Sequence, residues 1–246
     1  MKKTFIREVW GEGFDVGKDA FRGGKLYNDI ISVVNNDKEP EFLCYVFGKQ
    51  NFDALKKLNV NCVLVDQEPV RWSMEKELYR HKLEIFKIAM EENDEIVFLD
   101  WDCGAVKECS ELMWDVLGKK ESLQAPLMSY RTKKCLWRKE EIRKVPNAGF
   151  VYIRDNTIPA KLISIWEEFG EYLEKRKKEK RPIRFREQCL VFQEEPAMAK
   201  FIDDMMGGWI GIDKYWDLFE PMVCNLSKNS PFNKDMLNSK DIHFIH

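Results

Sequence analysis

Apolar residues in the first hundred positions fall into short solid runs, separated by stretches in which they recur every three or four residues. The runs TFIREVW (4–10), EFLCYVFG (41–48), NCVLVD (61–66) and EIVFLD (95–100) predict strands. Between them, LYNDIISVVNN (26–36), NFDALKKL (51–58) and MEKELYRHKLEIFKIAMEEN (74–93) carry helical spacing, and in the last of these Met74, Leu78, Ile85 and Ile88 share a face. Strands alternating with helices predict an α/β fold with a mostly parallel, Rossmann-like central sheet flanked by helices. Runs that are apolar throughout are those of strands covered on both faces. In the second half SLQAPLMSY (122–130) and GFVYIRD (149–155) predict strands. The segment 159–180 predicts a helix with Leu162, Trp166, Phe169 and Leu173 on one stripe. Beyond about residue 200 helical and loop signals mix, and no repeat or low-complexity linker interrupts the chain, so one domain over 1–246 is expected.

Composition narrows the partners. With 246 residues, 44% of them hydrophobic, the chain has material for one sizeable core, and 33% charged residues give it a wetted surface. A net charge of −2 argues against a molecule that binds nucleic acid through its overall field. MKKTFIREVW has no apolar stretch after its lysines, so no signal peptide is expected, and no window is apolar enough for a transmembrane helix. Seven cysteines without a C-x-x-C spacing, in settings such as FLCYVF, are expected to be reduced and buried, as in a cytoplasmic protein. Cysteine and histidine never cluster at zinc-ligand spacing.

The candidate chemistry lies in EIVFLDWDCGAV (95–106), where an apolar strand ends in Asp100 and Asp102. Ligands of parallel sheets bind outside the carboxyl ends of the strands. Two carboxylates there suit a hard cation such as Mg²⁺ or Mn²⁺, which keeps positions for substrate phosphates. A bare D-x-D can equally be a polar cap on the next segment. Two further stretches occur in order after it: VPNAGFVYIRD (145–155) and the histidine-bearing DIHFIH. Together the three resemble the metal-dependent nucleotide-sugar glycosyltransferases of the GT-A fold, of the kind that builds microbial or viral surface glycans, over about residues 41–246.

That resemblance implies a nucleotide-binding half to about residue 103 and an acceptor-binding half from about 104. It implies Mn²⁺ or Mg²⁺ as cofactor, a nucleoside-diphosphate sugar (UDP-sugar first) as donor and a glycan or glycoconjugate hydroxyl as acceptor. Asp102 would ligate the metal. Asp100 would touch the metal shell or the ribose, His243 would be the third protein ligand, and His246 competes with it. Asn147 and Gly149 would line the donor-sugar pocket, with Trp10 and Gly11 near the base and Trp101 between the two aspartates. Arg80 and Lys82, on the helix before the acidic pair, are candidates for the phosphates. The glycine-rich stretch after the first strand does not match G-x-G-x-x-G, because Gly11, Gly13 and Gly17 are spaced differently.

Transfer needs a base for the acceptor hydroxyl in an inverting enzyme. Glu187 in RFREQCLVF is the first candidate and Asp155 the second; Glu187 could also serve simply as a helix-start carboxylate. Trp137 and Trp209 lie in loop-like text and could stack on sugars, or simply pack. His81 shares the apolar face of its helix and reads as a buried histidine, not a ligand. The basic stretch 174–186 reads as a solvated helix end, with an anionic partner (a phosphorylated acceptor, an acidic glycan or a membrane surface in peripheral contact) as the sharper alternative. Two rival functions share the acidic pair. One is a HAD-like Mg-dependent phosphatase, with KFIDDMMGG (200–208) as its late acidic motif. The other is a non-catalytic nucleotide-sugar binding module.

Overall fold

The computed structural model describes residues 1–9, 40–66, 80–100, 104–105, 114–115, 117, 127–134, 142–183, 195–205, 223–224 and 244–245. Its elements in chain order are β1 (Lys3–Val9), β2 (Phe42–Phe47), α1 (Lys49–Lys57), β3 (Cys62–Val65), α2 (Arg80–Glu92), β4 (Glu95–Leu99), β5 (Gly104–Ala105), β6 (Leu127–Lys134), β7 (Ile142–Ile153), α3 (Ile158–Lys178), α4 (Glu195–Met205), β8 (Val223–Cys224) and β9 (Phe244–Ile245). The expected helix at 26–36 lies outside the described residues, as do residues 74–79 of the helix expected over 74–93.

A six-stranded sheet runs in the order β3-β2-β1-β4-β7-β6. Strands β1 to β4 are mutually parallel, with Phe5 opposite Phe42 on one side and Val97 on the other. Strand β7 is antiparallel to both β4 and β6, so it alone runs against the rest. The chain therefore has the α/β architecture expected, a mostly parallel central sheet flanked by helices. The central strands are apolar because both faces are covered: all five residues of β4 are buried. On one face α1 closes a small cluster of Val9, Cys44, Val46, Leu55, Val60 and Cys62. On the other face α2 packs against the sheet and α3 packs against α2, with Phe86 edge-on to Phe98 at 5.4 Å.

Two expectations shift at the level of faces and ends. In α2 the buried stripe is Leu83, Ile85, Phe86, Ala89 and Met90, while Ile88 is only partly buried. A helix held between a sheet and a second helix buries a wider stripe than one apolar face. In β7 the strand begins seven residues before the expected Gly149, and β6 spans 127–134 where 122–130 was expected. The cause is pairing. Only Phe150 to Ile153 of β7 lie beside β4, whereas the earlier residues pair with β6 alone, Pro146 opposite Tyr130. That half of the strand need not be apolar. In α3 the stripe is as read, with Leu162, Trp166 and Leu173 buried and Phe169 partly so. Its last turn carries Lys175, Arg176, Lys177 and Lys178, which favour the negative end of the helix dipole.

Candidate functional site

The sheet direction explains why two distant motifs meet. Strand β4 delivers Asp100 at its carboxyl end. Because β7 runs the other way, it brings the 147–149 segment to that same edge. The Asp100 amide donates to the Gly149 carbonyl at 2.8 Å. Gly149 is buried, and its neighbour Ala148 is 2% exposed. Of Asn147 the structure gives the backbone, opposite Ser129 in β6.

Lys82 completes the junction. It is one of the few buried charges, 4% exposed, on the first turn of α2. Its Nζ donates to Asp100 Oδ1 at 2.9 Å and to the Ala148 carbonyl at 3.4 Å, and it lies 4.6 Å from the centre of the Phe98 ring. Lys82, Asp100 and the 148–149 backbone therefore form one cluster at the carboxyl edge of the sheet, where parallel α/β sheets bind ligands. The carboxylate reaches solvent, its side chain 32% exposed, while the ammonium does not.

A second pairing is equally informative. A small sheet in the order β5-β9-β8 sets Gly104 opposite Ile245 and Ala105 opposite Phe244. Gly104 follows Asp102 by two residues, and His243 and His246 flank Phe244–Ile245. The chain thus returns from its far end to the segment just after the acidic pair. Asp102, His243 and His246 themselves lie outside the described residues, as do Trp10, Gly11, Trp101, Trp137, Glu187 and Trp209. Among the described residues no group of three His, Cys, Asp or Glu side chains gathers to hold a metal.

Two candidates stand apart from the cluster. Arg80 is occupied between helices: it donates to Glu84 at 2.6 Å and to Glu167 of α3 at 2.8 Å, and its guanidinium lies over Trp166. Asp155 lies past the opposite end of β7, about 20 Å from Gly149 at roughly 3.3 Å per residue. There its Oδ1 accepts the amide and hydroxyl of Thr157, an Asx turn ahead of α3. It is too far from Asp100 to act as a base on a group bound there. His81 is 3% exposed, with its ring 4.7 Å from that of Phe47, a packed histidine as read. Asp203 and Asp204, the late acidic motif of the phosphatase alternative, lie within α4, where Asp204 pairs with Lys200 one turn back. A helix face is a different setting from the strand-end loop that chemistry needs.

One residue of the cluster was not singled out from the sequence. Arg7, in the middle of β1 and fully buried, donates from Nη1 to the Asp100 carbonyl at 3.1 Å. The signal was present: a charge in the interior of an apolar run, FIREV, in a strand covered on both faces.

No known family matches the sequence, and no characterised protein matches it in sequence. Among solved structures the chain is similar to mouse xyloside xylosyltransferase 1 in its apo form (TM-score 0.46, 12% identity, 99% of this chain and 97% of that one). It is similar to a glycosyltransferase involved in the glycosylation of the major capsid of PBCV-1 (TM-score 0.38, 13% identity, 100% of this chain and 93% of that one). It is also similar to 4-diphosphocytidyl-2C-methyl-D-erythritol synthase of Anaerococcus prevotii (TM-score 0.37, 13% identity, 81% of this chain and 82% of that one). No helix among the described residues is long and apolar enough to cross a membrane.

Proposed function

We propose that this protein is a metal-dependent glycosyltransferase that moves a sugar from a nucleoside-diphosphate sugar, UDP-sugar first, to a hydroxyl of a glycan or glycoconjugate. The observation that supports this reading most is the meeting of Asp100, Lys82 and the 148–149 backbone at the carboxyl edge of the sheet. The return of β9 to β5 supports placing Asp102 and one of His243 and His246 in the same site. Carboxylate and imidazole together suit Mn²⁺ or Mg²⁺. With its Oδ1 engaged by a buried ammonium, Asp100 is a poor direct metal ligand and better suited to the ribose or the metal's water shell. Asp102 is then the direct carboxylate ligand.

A divalent cation bound there would neutralise the charge that grows on a departing diphosphate. The chain's own part is to bind and orient. Lys82 fixes Asp100, and Asn147 with Gly149 lets backbone approach the donor sugar. Trp10, Gly11 and Trp101 belong to the nucleotide side, and Trp137 and Trp209 to the acceptor. Glu187 would take the acceptor proton at its carboxylate.

The test is calorimetry of UDP, GDP, CDP and ADP, with and without MnCl₂, on the intact chain and on Asp102→Ala, followed by release of nucleoside diphosphate from the matching nucleotide sugars. Metal-dependent binding of one nucleotide, lost in the variant, with turnover, is the expected result. Binding without turnover in the presence of glycan acceptors would favour the binding module. No nucleotide binding with any metal would end the transferase reading, and phosphoester hydrolysis would be assayed next.

A further inference from the structure

Arg7 is an expensive residue in its place. A guanidinium in a central strand loses its hydration, and an apolar side chain of similar volume is often no less stable there. Its register neighbour on β2 is Cys44, and its guanidinium lies 5.2 Å from the Phe42 ring centre. Arg7 reaches the carbonyl of Asp100, the residue that follows β4.

Side-chain alternation gives this contact its meaning. Ile6 is the register partner of Phe98, and Lys82 sits over Phe98, so Lys82 acts from the face that Ile6 shares. Arg7 follows Ile6 and projects to the other face. Asp100 is thus gripped by two buried cations from opposite sides of the sheet. Lys82 takes the carboxylate and Arg7 the carbonyl, while Gly149 takes the amide. The carbonyl belongs to the peptide that leads to Trp101 and Asp102. Fixing it fixes the plane from which the chain leaves the strand.

We infer that Arg7 is a positioning residue, which sets the departure of the chain from β4 and so the placement of the acidic pair toward a metal-bound nucleoside diphosphate. The inference rests on the transferase reading for its ligand, but not for its geometry. A group that orients ligands from behind is commonly worth ten- to a hundredfold in affinity.

The experiment compares wild type, Arg7→Met, Arg7→Gln and Arg7→Lys as intact chains. Met and Gln remove the reach to the carbonyl, and Gln is the fallback should Met not fold. Lysine keeps the charge and a donor. Three quantities are read: the melting temperature, the Kd for UDP with and without MnCl₂, and amide hydrogen exchange across residues 99–103. The expected result is faster exchange there and at least about tenfold weaker UDP binding in MnCl₂ for the Met or Gln variant, with most of both recovered by Lys. Because Kd is read on folded protein, a purely structural role would lower the melting temperature and leave Kd unchanged, which would overturn the inference. Unchanged exchange at 99–103 would overturn it too. If wild type binds no nucleotide, the transferase reading fails, and the exchange comparison still decides whether Arg7 holds the strand end.

Discussion

The ammonium of Lys82 stands 2.9 Å from the carboxylate of Asp100, but the two are unequally buried: 5% of the lysine side chain is exposed and 32% of the aspartate. The partner that would be left behind decides the cost of breaking such a pair. In Asp100→Asn the buried ammonium loses its countercharge; in Lys82→Met a carboxylate that already sees water is released. Asp100→Asn should therefore be the more damaging, on the order of 2 kcal/mol against about 1 for Lys82→Met, both below the fully buried range because water reaches the aspartate. Urea denaturation of the two variants checks the order.

Asp155 provides the contrast to Asp100. It accepts two hydrogen bonds from Thr157 at the start of α3, at the end of the sheet away from Asp100. Asp155→Ala should cost about 0.5–1 kcal/mol of stability and leave nucleotide affinity unchanged. A drop in affinity comparable with that of Asp102→Ala would bring Asp155 back as a site residue.

Tyr45 links stability to alkaline pH. It is 1% exposed, and its hydroxyl finds no hydrogen-bond partner among the described residues. Burial, with the Glu92 carboxylate adding to it, pushes the phenol up from 10.0 to about 12. Between those values the unfolded chain has lost the proton and the folded one keeps it, so the folded state binds more protons and stability falls as pH rises through that window. The loss should be about 1.4 kcal/mol by pH 11. Tyr45→Phe should flatten it, and should not lower stability at neutral pH, because it deletes an unsatisfied buried hydroxyl. Denaturation at neutral pH and near pH 11 is the check.

Cys44 and Cys62 face each other across β2 and β3, both buried and unbridged. Burial raises both thiols above their ordinary range, with Cys62 adding to the shift at Cys44. A thiol held protonated is a poor nucleophile. In the native protein both should resist iodoacetamide, and Cys44 should react only at the rate at which the sheet opens. Rapid labelling of Cys44 without unfolding would contradict the burial.

The sheet was legible where strands are covered on both faces and hard to read where they are not. Phe42–Phe47 and residues 96–99 announce themselves as solid apolar runs because their central residues are buried. The first half of β7 does not, because it pairs only with β6 and can carry Arg143, Lys144 and Pro146. In the site, Asp100 stands out from its motif, whereas Lys82 and Gly149 were named through the family resemblance, and Lys82 for the phosphates and not for Asp100, whose carboxylate it binds. Arg7 shows in the sequence as a charge inside an apolar run, but its partner does not, because that is a backbone carbonyl 93 positions away. Arg80 illustrates the opposite error: it shares a helix with Lys82, yet is turned to Glu84 and Glu167.

The pairing of Gly104 with Ile245 has a consequence in time. Closing a loop of that length carries an entropic cost that the two short strands recover only when the rest of the molecule is already in place. The parallel core of β1 to β4 can form from the first hundred residues, whereas β5 and β9 join residues about 140 positions apart. That pairing should form late and open early. Mild denaturant should therefore abolish nucleotide binding while the core is still folded, a loss read by calorimetry alongside circular dichroism.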